Sequence, residues 1–368
     1  MIRSFNELSL SAPMLDAVAQ AGYTTPTPIQ ARAIPTALAG RDLIGCAQTG
    51  TGKTAAFAIP IIERLAASRP GANARALVLA PTRELALQIA ETFRLLGAAR
   101  GIRAVTLIGG EAMGPQLTSL TRRPDVIIAT PGRLIDHLQR RSAMLGSVRI
   151  VVLDEADRML DMGFAPQVER ILAAIPLDRQ TLCFSATMPE EVERLVRAHL
   201  SRPERIEVGV AARPVAAVAQ RLYATENRDK TPLLLRLLGE DGGQTLVFTR
   251  TKHRADRLAR AVAAAGHRVT RLHADRTMSQ RREALDGFRA GRYRVLVATN
   301  IAARGIDVPE IAHVVNFDLP QTPEDYIHRI GRTARAEATG QATSFATPEE
   351  RDQLRAIERH LGHPVPRS

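Results

Sequence analysis

The chain has 368 residues, 45% apolar and 24% charged, with 50 lysines and arginines against 38 acids, a formal charge of +12. That length calls for two domains, each able to bury its own core, and the excess of cations points to an anionic polymer as partner. Aromatics at 4% with no Trp argue against recognition by base stacking and for contacts to phosphate and sugar, and the lack of a long apolar run or leader argues for a soluble cytoplasmic protein.

In chain order, Gly22–Gln30 is turn-rich and leads into a helix expected over Gln30–Leu38. A glutamine amide can pair with both the N6 donor and the N7 acceptor of adenine, so Gln30 is a candidate for the base and Tyr23 for stacking on it. A short apolar run, Leu43–Ile44, precedes Ala47-Gln48-Thr49-Gly50-Thr51-Gly52-Lys53-Thr54, and a helical apolar pattern follows. Strand, glycine-rich turn and helix make a phosphate cradle: glycines admit close backbone N–H groups, and the helix N-terminus favours anions. Gly50, Thr51 and Gly52 line it, Lys53 would reach the β- and γ-phosphates, and the Thr54 hydroxyl would ligate Mg²⁺. Ala47 stands where the strict pattern has glycine. The chain has only three lysines, Lys53, Lys230 and Lys252, and one of them sits in this loop. Cys46 and Cys183 both lie in apolar strand-like runs and read as core residues in a reducing compartment rather than a metal site.

Three further strands are expected at Arg75–Ala80, Arg103–Ile108 and Asp125–Ala129. They end in Pro81-Thr82-Arg83, Gly109-Gly110 and Thr130-Pro131-Gly132-Arg133. Loops at the carboxyl ends of parallel strands bind ligands, and small residues with an arginine suit a sugar–phosphate chain. Arg149–Leu153 is a buried-strand run ending in Asp154-Glu155-Ala156-Asp157. Asp154 would serve the metal, Glu155 would orient and polarise the attacking water, and Asp157 would anchor neighbouring loops. Thr181–Phe184 leads to Ser185-Ala186-Thr187, whose polar tip could bond Asp157.

Aperiodic Ala, Val, Arg and Pro mark a linker over residues 208–219, so the domains are expected at 1–207 and 220–368. A second alternating series follows: helix Lys230–Leu238, strand Thr245–Phe248 ending in Thr249-Arg250, helix Arg254–Ala265, strand Val269–Leu272, helix Ser279–Phe288, strand Arg294–Ala298 ending in Thr299, and strand His313–Phe317. Such alternation means a doubly wound parallel sheet. A helix beginning at Tyr326 is expected to carry Arg329, Arg332 and Arg335 on one face, as a basic surface or as arginines offered to a γ-phosphate, where arginine is worth on the order of 10³ in rate. This half lacks a glycine-rich lysine loop, so no second nucleotide is expected.

The ordered set of blocks from Phe5 and Gln30 through Asp154-Glu155-Ala156-Asp157 to Arg335 resembles the DEAD-box ATP-dependent RNA helicases, over nearly the whole chain. Leu272-His273-Ala274-Asp275-Arg276-Thr277 and the short N-terminus look most like the bacterial RhlE-type subgroup. The resemblance implies an α/β fold of two RecA-like doubly wound parallel-sheet domains in tandem that close on ATP, Mg²⁺ and single-stranded RNA. By resemblance, Phe5 supports the adenine site of Tyr23 and Gln30. Lys53, Glu155, Arg332 and Arg335 are catalytic, and Gly305 and Asp307 complete the ATP site. RNA would meet Pro81, Thr82, Arg83, Gly110, Thr130, Pro131, Gly132 and Arg133, and in the second domain Thr249, Arg250, Arg281 and Thr299. Ser185 and Thr187, with Asp157 and His328, would couple hydrolysis to RNA. Three positions depart from the pattern: Met278 in place of Gln, Asn300 in place of Asp and Ala334 in place of Gly. The implied function is RNA-dependent ATP hydrolysis with local unwinding of short duplexes or remodelling of RNA–protein complexes. The alternatives are an ATP-gated RNA clamp with slow turnover and a translocating DNA helicase. Partners from ribonucleoprotein assembly or RNA decay are compatible with it, and a membrane partner is not expected.

Overall fold

In the computed structural model the chain forms two compact units, Met1–Val210 and Ala211–Ser368. The structure describes all residues except 1, 48–49, 69–70, 72, 209–217, 241, 300–310 and 334–339, and the side chains of 278 and 324.

The first unit is built on seven parallel strands: β1 (Leu43–Cys46), β2 (Ala76–Leu79), β3 (Ala104–Leu107), β4 (Val126–Ala129), β5 (Ile150–Leu153), β6 (Gln180–Ser185) and β7 (Glu204–Glu207), in the order β3-β4-β2-β5-β6-β1-β7. β2, β4 and β5 are uninterrupted runs of Val, Ile, Leu and Ala buried throughout, as expected of strands covered on both faces. The helices are α1 (Ala12–Gln20), α2 (Pro28–Leu38), α3 (Lys53–Ala66), α4 (Arg83–Gly97), α5 (Met113–Thr121), α6 (Pro131–Gln139), α7 (Ala156–Asp161), α8 (Ala165–Ala173) and α9 (Glu190–His199). Leu77, Ile127, Val151 and Cys183 meet Leu134, Met159, Ile171 and Val192 in one core.

The strand order matters for function. β3, β4 and β2 stand side by side, so the loops Gly109–Gly110, Thr130–Arg133 and Pro81–Arg83 lie together at one end of the carboxyl edge. The loops after β5, β6 and β1 occupy the adjoining part of the same edge.

The second unit has six parallel strands: β8 (Val218–Ala224), β9 (Thr245–Thr249), β10 (Val269–Leu272), β11 (Val295–Thr299), β12 (His313–Asn316) and β13 (Gly340–Ala346), in the order β10-β11-β9-β12-β13-β8. Its helices are α10 (Lys230–Glu240), α11 (Lys252–Ala264), α12 (Met278–Arg289), α13 (Pro323–Ile330) and α14 (Arg351–Leu361). β8 begins inside the segment where the sequence suggested a linker. β13, rich in Gly, Gln, Thr and Ser, carries no strand signature, yet Ala342 to Ala346 are buried because β12 and β8 pair with it on both sides.

An ion cluster sits under the carboxyl edge of this unit. Lys230 is fully buried, with Nζ 2.9 Å from Glu350 Oε2 and 3.5 Å from Asp318 Oδ1. Asp318 also faces Arg254 at 2.9 Å and accepts the Arg250 N–H at 2.8 Å, while Glu350 pairs with the Arg250 guanidinium at 2.6 Å. Removing one partner of such a set strands the opposing charges in low dielectric. Lys230→Ala is therefore expected to destabilise the second unit by about 3–5 kcal/mol in urea unfolding. Lys252→Ala, which loses only a water-screened pair with Asp275, should leave the urea midpoint nearly unchanged.

Candidate functional site

The glycine-rich loop joins β1 to α3. Gly50 and Gly52 have φ of 86° and 88°, the left-handed region that glycine occupies without strain, and Gly52 is the N-cap of α3. The Gln30 amide holds this turn: its Nε2 donates to the Gly52 carbonyl at 3.1 Å, and its Oε1 accepts the Thr27 N–H at 2.9 Å as part of the cap of α2. A Cβ at position 52 would collide with the Gln30 amide. Gln30 is thus buried and engaged at both ends. Phe5 is buried and packs on half-buried Tyr23, ring centroids 6.3 Å apart, beside this element. Lys53 is buried too, its Nζ donating to the Ala47 carbonyl at 2.7 Å, so the ammonium lies folded back over the loop that it would serve. Thr51 and Thr54 are partly exposed at the head of α3.

Two strands away, β5 delivers Asp154 and Glu155. Asp154 is 2% exposed and accepts the Glu155 N–H at 3.1 Å. Burial pushes its carboxyl up to about 7, against the lowering pull of Lys53. Glu155 adopts φ 51° and ψ 54°, a left-handed conformation rare for a side chain of this size, at the N-cap of α7. Its Oε2 lies 2.9 Å from Arg158 Nη1, a buried pair. Sequence reading passed over Arg158; the spacing of three residues on α7 was the available signal. Burial lowers the Arg158 guanidinium and Glu155 counters it.

Asp157 joins β5 to β6. Its N–H donates to Ser185 Oγ at 3.2 Å, and its Oδ2 accepts the Thr187 N–H at 2.9 Å and the Thr187 hydroxyl at 2.8 Å. Ser185 Oγ in turn donates to the Thr187 carbonyl at 2.7 Å.

The three loops over β2, β3 and β4 are cross-braced. Thr82 caps α4 by accepting the Leu85 N–H at 3.3 Å. Pro81 ends β2 and Pro131 opens α6, with Gly132 next and Thr130 as its N-cap. The Arg83 guanidinium crosses to Gly110, φ 77°, where a Cβ would fall on it. Arg133 Nη1 donates to the Glu111 carbonyl at 3.0 Å. Beneath, Gln116 Nε2 donates to the Ile108 and Ala112 carbonyls at 3.1 and 3.4 Å, and fully buried His137 faces its Oε1 at 3.4 Å. Burial, then Arg133, lowers the His137 imidazole. Gln116 and His137 carry no motif and were not anticipated.

In the second unit Thr249 is buried at the end of β9, Arg250 is exposed, Thr299 is partly buried at the end of β11, and Arg281 donates to the His273 carbonyl at 3.3 Å. His328 is partly buried on α13. The expected arginine face on that helix is corrected. α13 stops at Ile330, capped by Gly331, so Arg332 lies in the following turn with Nε donating to the His328 carbonyl at 3.2 Å. Arg329 points inward, donating to Asn316 Oδ1 at 3.1 Å and the Asp318 carbonyl at 2.8 Å, over the Phe248 ring at 4.8 Å. Its guanidinium finds carbonyls and an aromatic face in the sheet that outweigh solvent. Gly305, Asp307, Arg335, Asn300 and Ala334 lie outside the described residues. At Met278 the helix α12 begins, and Gln280 is used in its cap with Thr277, so it does not replace the missing glutamine.

Residues 27–195 match the DEAD/DEAH box helicase family and residues 229–337 match the helicase conserved C-terminal domain. Curated relatives include the DEAD-box ATP-dependent RNA helicase CshA of Bacillus licheniformis, 45% identical over 97% of this chain and 73% of that protein, and CshA of Bacillus subtilis, at 44% over 97% and 72%. The support is for the family; these relatives are CshA-type, not RhlE-type. Among solved structures, Saccharomyces cerevisiae Dbp5 bound to RNA and ADP BeF3 is 34% identical with a TM-score of 0.89, covering 99% of this chain and 95% of that one. Mss116p bound to ssRNA and AMP-PNP is 27% identical with a TM-score of 0.87, covering 99% and 78%.

Gly52→Ala meets both the left-handed backbone and the Gln30 amide, so nucleotide affinity, read by titration with a fluorescent ATP analogue, should fall at least about tenfold, corresponding to a loss of about 1.4 kcal/mol. Asp154 has a folded pKa near 7 against 3.8 ordinarily, so its burial favours the acid form. Stability from this group is complete below about 3.8 and is lost as the pH rises through about 7. Asp154→Asn should therefore raise the melting temperature of the nucleotide-free, metal-free protein clearly at pH 8 and little at pH 4.5.

Proposed function

This chain belongs to the DEAD-box ATP-dependent RNA helicases, and from that premise we propose how its residues divide the work of RNA-dependent ATP hydrolysis and local duplex separation. The observation that carries the reading is the shared carboxyl edge of the first sheet. The phosphate loop, the acids after β5 and the Ser185–Thr187 tip after β6 stand beside three braced loops that offer N–H groups and arginines.

ATP phosphates would be held by the backbone of Gly50, Thr51 and Gly52 and by the head of α3. Lys53 would leave the Ala47 carbonyl for the β- and γ-phosphates. Tyr23 and Phe5 would support the base. Gln30 makes one bond at each end of its amide, and the second Nε2 hydrogen and second Oε1 lone pair would meet adenine while the turn stays held.

Thr54 and Asp154 offer a hydroxyl and a buried carboxylate with a single recorded hydrogen bond. Among the described residues no group of three or more His, Cys, Asp or Glu could hold an ion. A hydroxyl and one carboxylate suit Mg²⁺, which keeps several waters and relies on substrate phosphates for the rest of its shell. When bound, the ion would neutralise charge on the phosphate oxygens.

Glu155 would orient the attacking water and take its proton as the bond to the leaving phosphate oxygen breaks. To do so it must share or leave Arg158. We assign Gly305, Asp307, Arg332 and Arg335 to the second unit's part in holding ATP, supported by the family match over 229–337. Pro81, Thr82, Arg83, Gly110, Thr130, Pro131, Gly132 and Arg133, with Thr249, Arg250, Arg281 and Thr299, are assigned to the RNA backbone, as Dbp5 and Mss116p are structures with RNA bound. Asp157, Ser185, Thr187 and His328 are assigned to coupling. The RhlE-type subgroup is read from Leu272–Thr277 together with the short N-terminus, while the curated relatives support the family. A cytoplasmic site of action is supported by the bacterial relatives and by the two free thiols; no described helix is long and apolar enough to cross a membrane. The second reading, a clamp with slow turnover, is favoured by the Glu155–Arg158 pair.

Steady-state ATP hydrolysis with no nucleic acid, with single-stranded RNA and with DNA of the same sequence tests the assignment. RNA alone should stimulate turnover; equal stimulation by DNA would count against RNA specificity, and none by either would favour the clamp. Glu155→Gln should slow hydrolysis by about 10² or more while retaining nucleotide binding. Turnover at the parent rate would remove Glu155 from the chemistry.

A further inference from the structure

The face of α11 carries more positive charge than the site uses. Arg250, His253, Arg254, Arg257 and Arg260, with Asp256, line an open groove of about 440 Å³. A second groove of about 480 Å³, reaching Asn227 and Arg228, meets the first at Arg254 and Arg257. Arg254, Arg257 and Arg260 follow one another at three-residue steps, so they advance along one face of the helix by about 4.5 Å each.

The acids nearby do not balance this stripe. Asp256 is already held by Arg271 Nε at 2.8 Å and His273 Nε2 at 3.1 Å. Asp318 and Glu350 are taken up by Arg254, Arg250 and buried Lys230. Arg257 and Arg260 are exposed, and among the described residues neither pairs with a carboxylate; Arg260 Nε reaches only the Asp256 carbonyl, at 3.4 Å. Two uncompensated guanidinium groups are thus displayed in line with two that are fixed in place.

We infer that this groove binds the sugar–phosphate backbone of RNA flanking the segment held at the loops, with Arg257 and Arg260 as its phosphate contacts. The inference rests on the RNA reading above and extends it. Three observations favour RNA over a protein partner. The groove begins at Arg250, beside Thr249 at the carboxyl end of β9, and runs from there along α11, so RNA held at Thr249 and Arg250 would meet it directly. No exposed apolar side chain lines the stretch from Arg250 to Arg260, whereas protein interfaces centre on buried apolar or aromatic anchors. Arginine's planar fork matches phosphate in two bonds, and such contacts need no sequence from the ligand. The formal charge of +12 points the same way.

The test uses the full chain and fluorescence anisotropy with two unstructured single-stranded RNAs. One is just long enough to stimulate hydrolysis fully, and the other extends past it. Arg257→Ala combined with Arg260→Ala should weaken binding of the long RNA several-fold and leave the short RNA nearly unaffected. For the long RNA, the slope of log K against log salt should fall in magnitude by about 1.4, about 0.7 for each phosphate contact on a single strand. Arg257→Lys with Arg260→Lys keeps the charge and should restore most of the slope, which a merely structural role would not do. Unchanged affinity and slope for both RNAs overturns the proposal and leaves the stripe to an acidic protein. Equal losses on both RNAs also overturn it, since the residues would then act on the loops themselves. A parent chain whose hydrolysis ignores RNA would sink the functional reading beneath it, an outcome separate from any result with the variants.

Discussion

The nucleotide side of this protein depends on one backbone geometry, the left-handed turn at Gly52. That turn aims the first N–H groups of α3 at a single point, and it is stable only where no Cβ is present. The Gln30 amide fills the space that a side chain would take and ties the turn to the cap of α2. Lys53 follows directly, and its ammonium donates to the Ala47 carbonyl. The start of the helix and the placement of the lysine are consequences of the same few bonds.

A second constraint governs the acids. Asp154, Glu155 and Asp157 are neighbours in sequence, yet they meet three environments. Asp154 is desolvated and drawn toward its acid form. Glu155 is strained and paired with Arg158. Asp157 is spent on Ser185 and Thr187. Three like charges so close would repel one another in water. Here each has a distinct partner or protonation tendency, and that division separates their roles. Because Asp157 binds the tip of β6 through both backbone and side chain, a shift of the loop after β5 has to move the loop after β6 as well.

The second unit solves a different problem, holding cations at its carboxyl edge against their mutual repulsion. Buried Lys230, with Asp318 and Glu350, anchors Arg250 and Arg254 at the head of α11. The arginines beyond them are left uncompensated. Arg329, which a helical wheel would display at the surface, is drawn inside by Asn316, the Asp318 carbonyl and the Phe248 ring.

Much of this was legible in the residues alone. Strand, glycine turn and helix are written locally, in apolar runs, Gly50 and Gly52, and the helical period after Lys53. The carboxyl-end loops could likewise be found by counting strands, and their small residues and arginines pointed to phosphate. Polar strands such as β13 and the edge strand β7 were invisible, because their burial comes from neighbours distant in sequence. Strand order, which sets β3, β4 and β2 side by side, could not be read from the chain, since it depends on how the crossovers pack. Nor could the bonds of Gln30 to Gly52, Gln116 to Ile108, Glu155 to Arg158 or Lys230 to Glu350. The sequence by itself determined which chemical groups are present and which ends of which strands carry them, because those signals are local. Only the tertiary structure decided which groups are spent on each other and which remain available, because pairing in a low-dielectric interior is set by contacts between segments far apart in the chain.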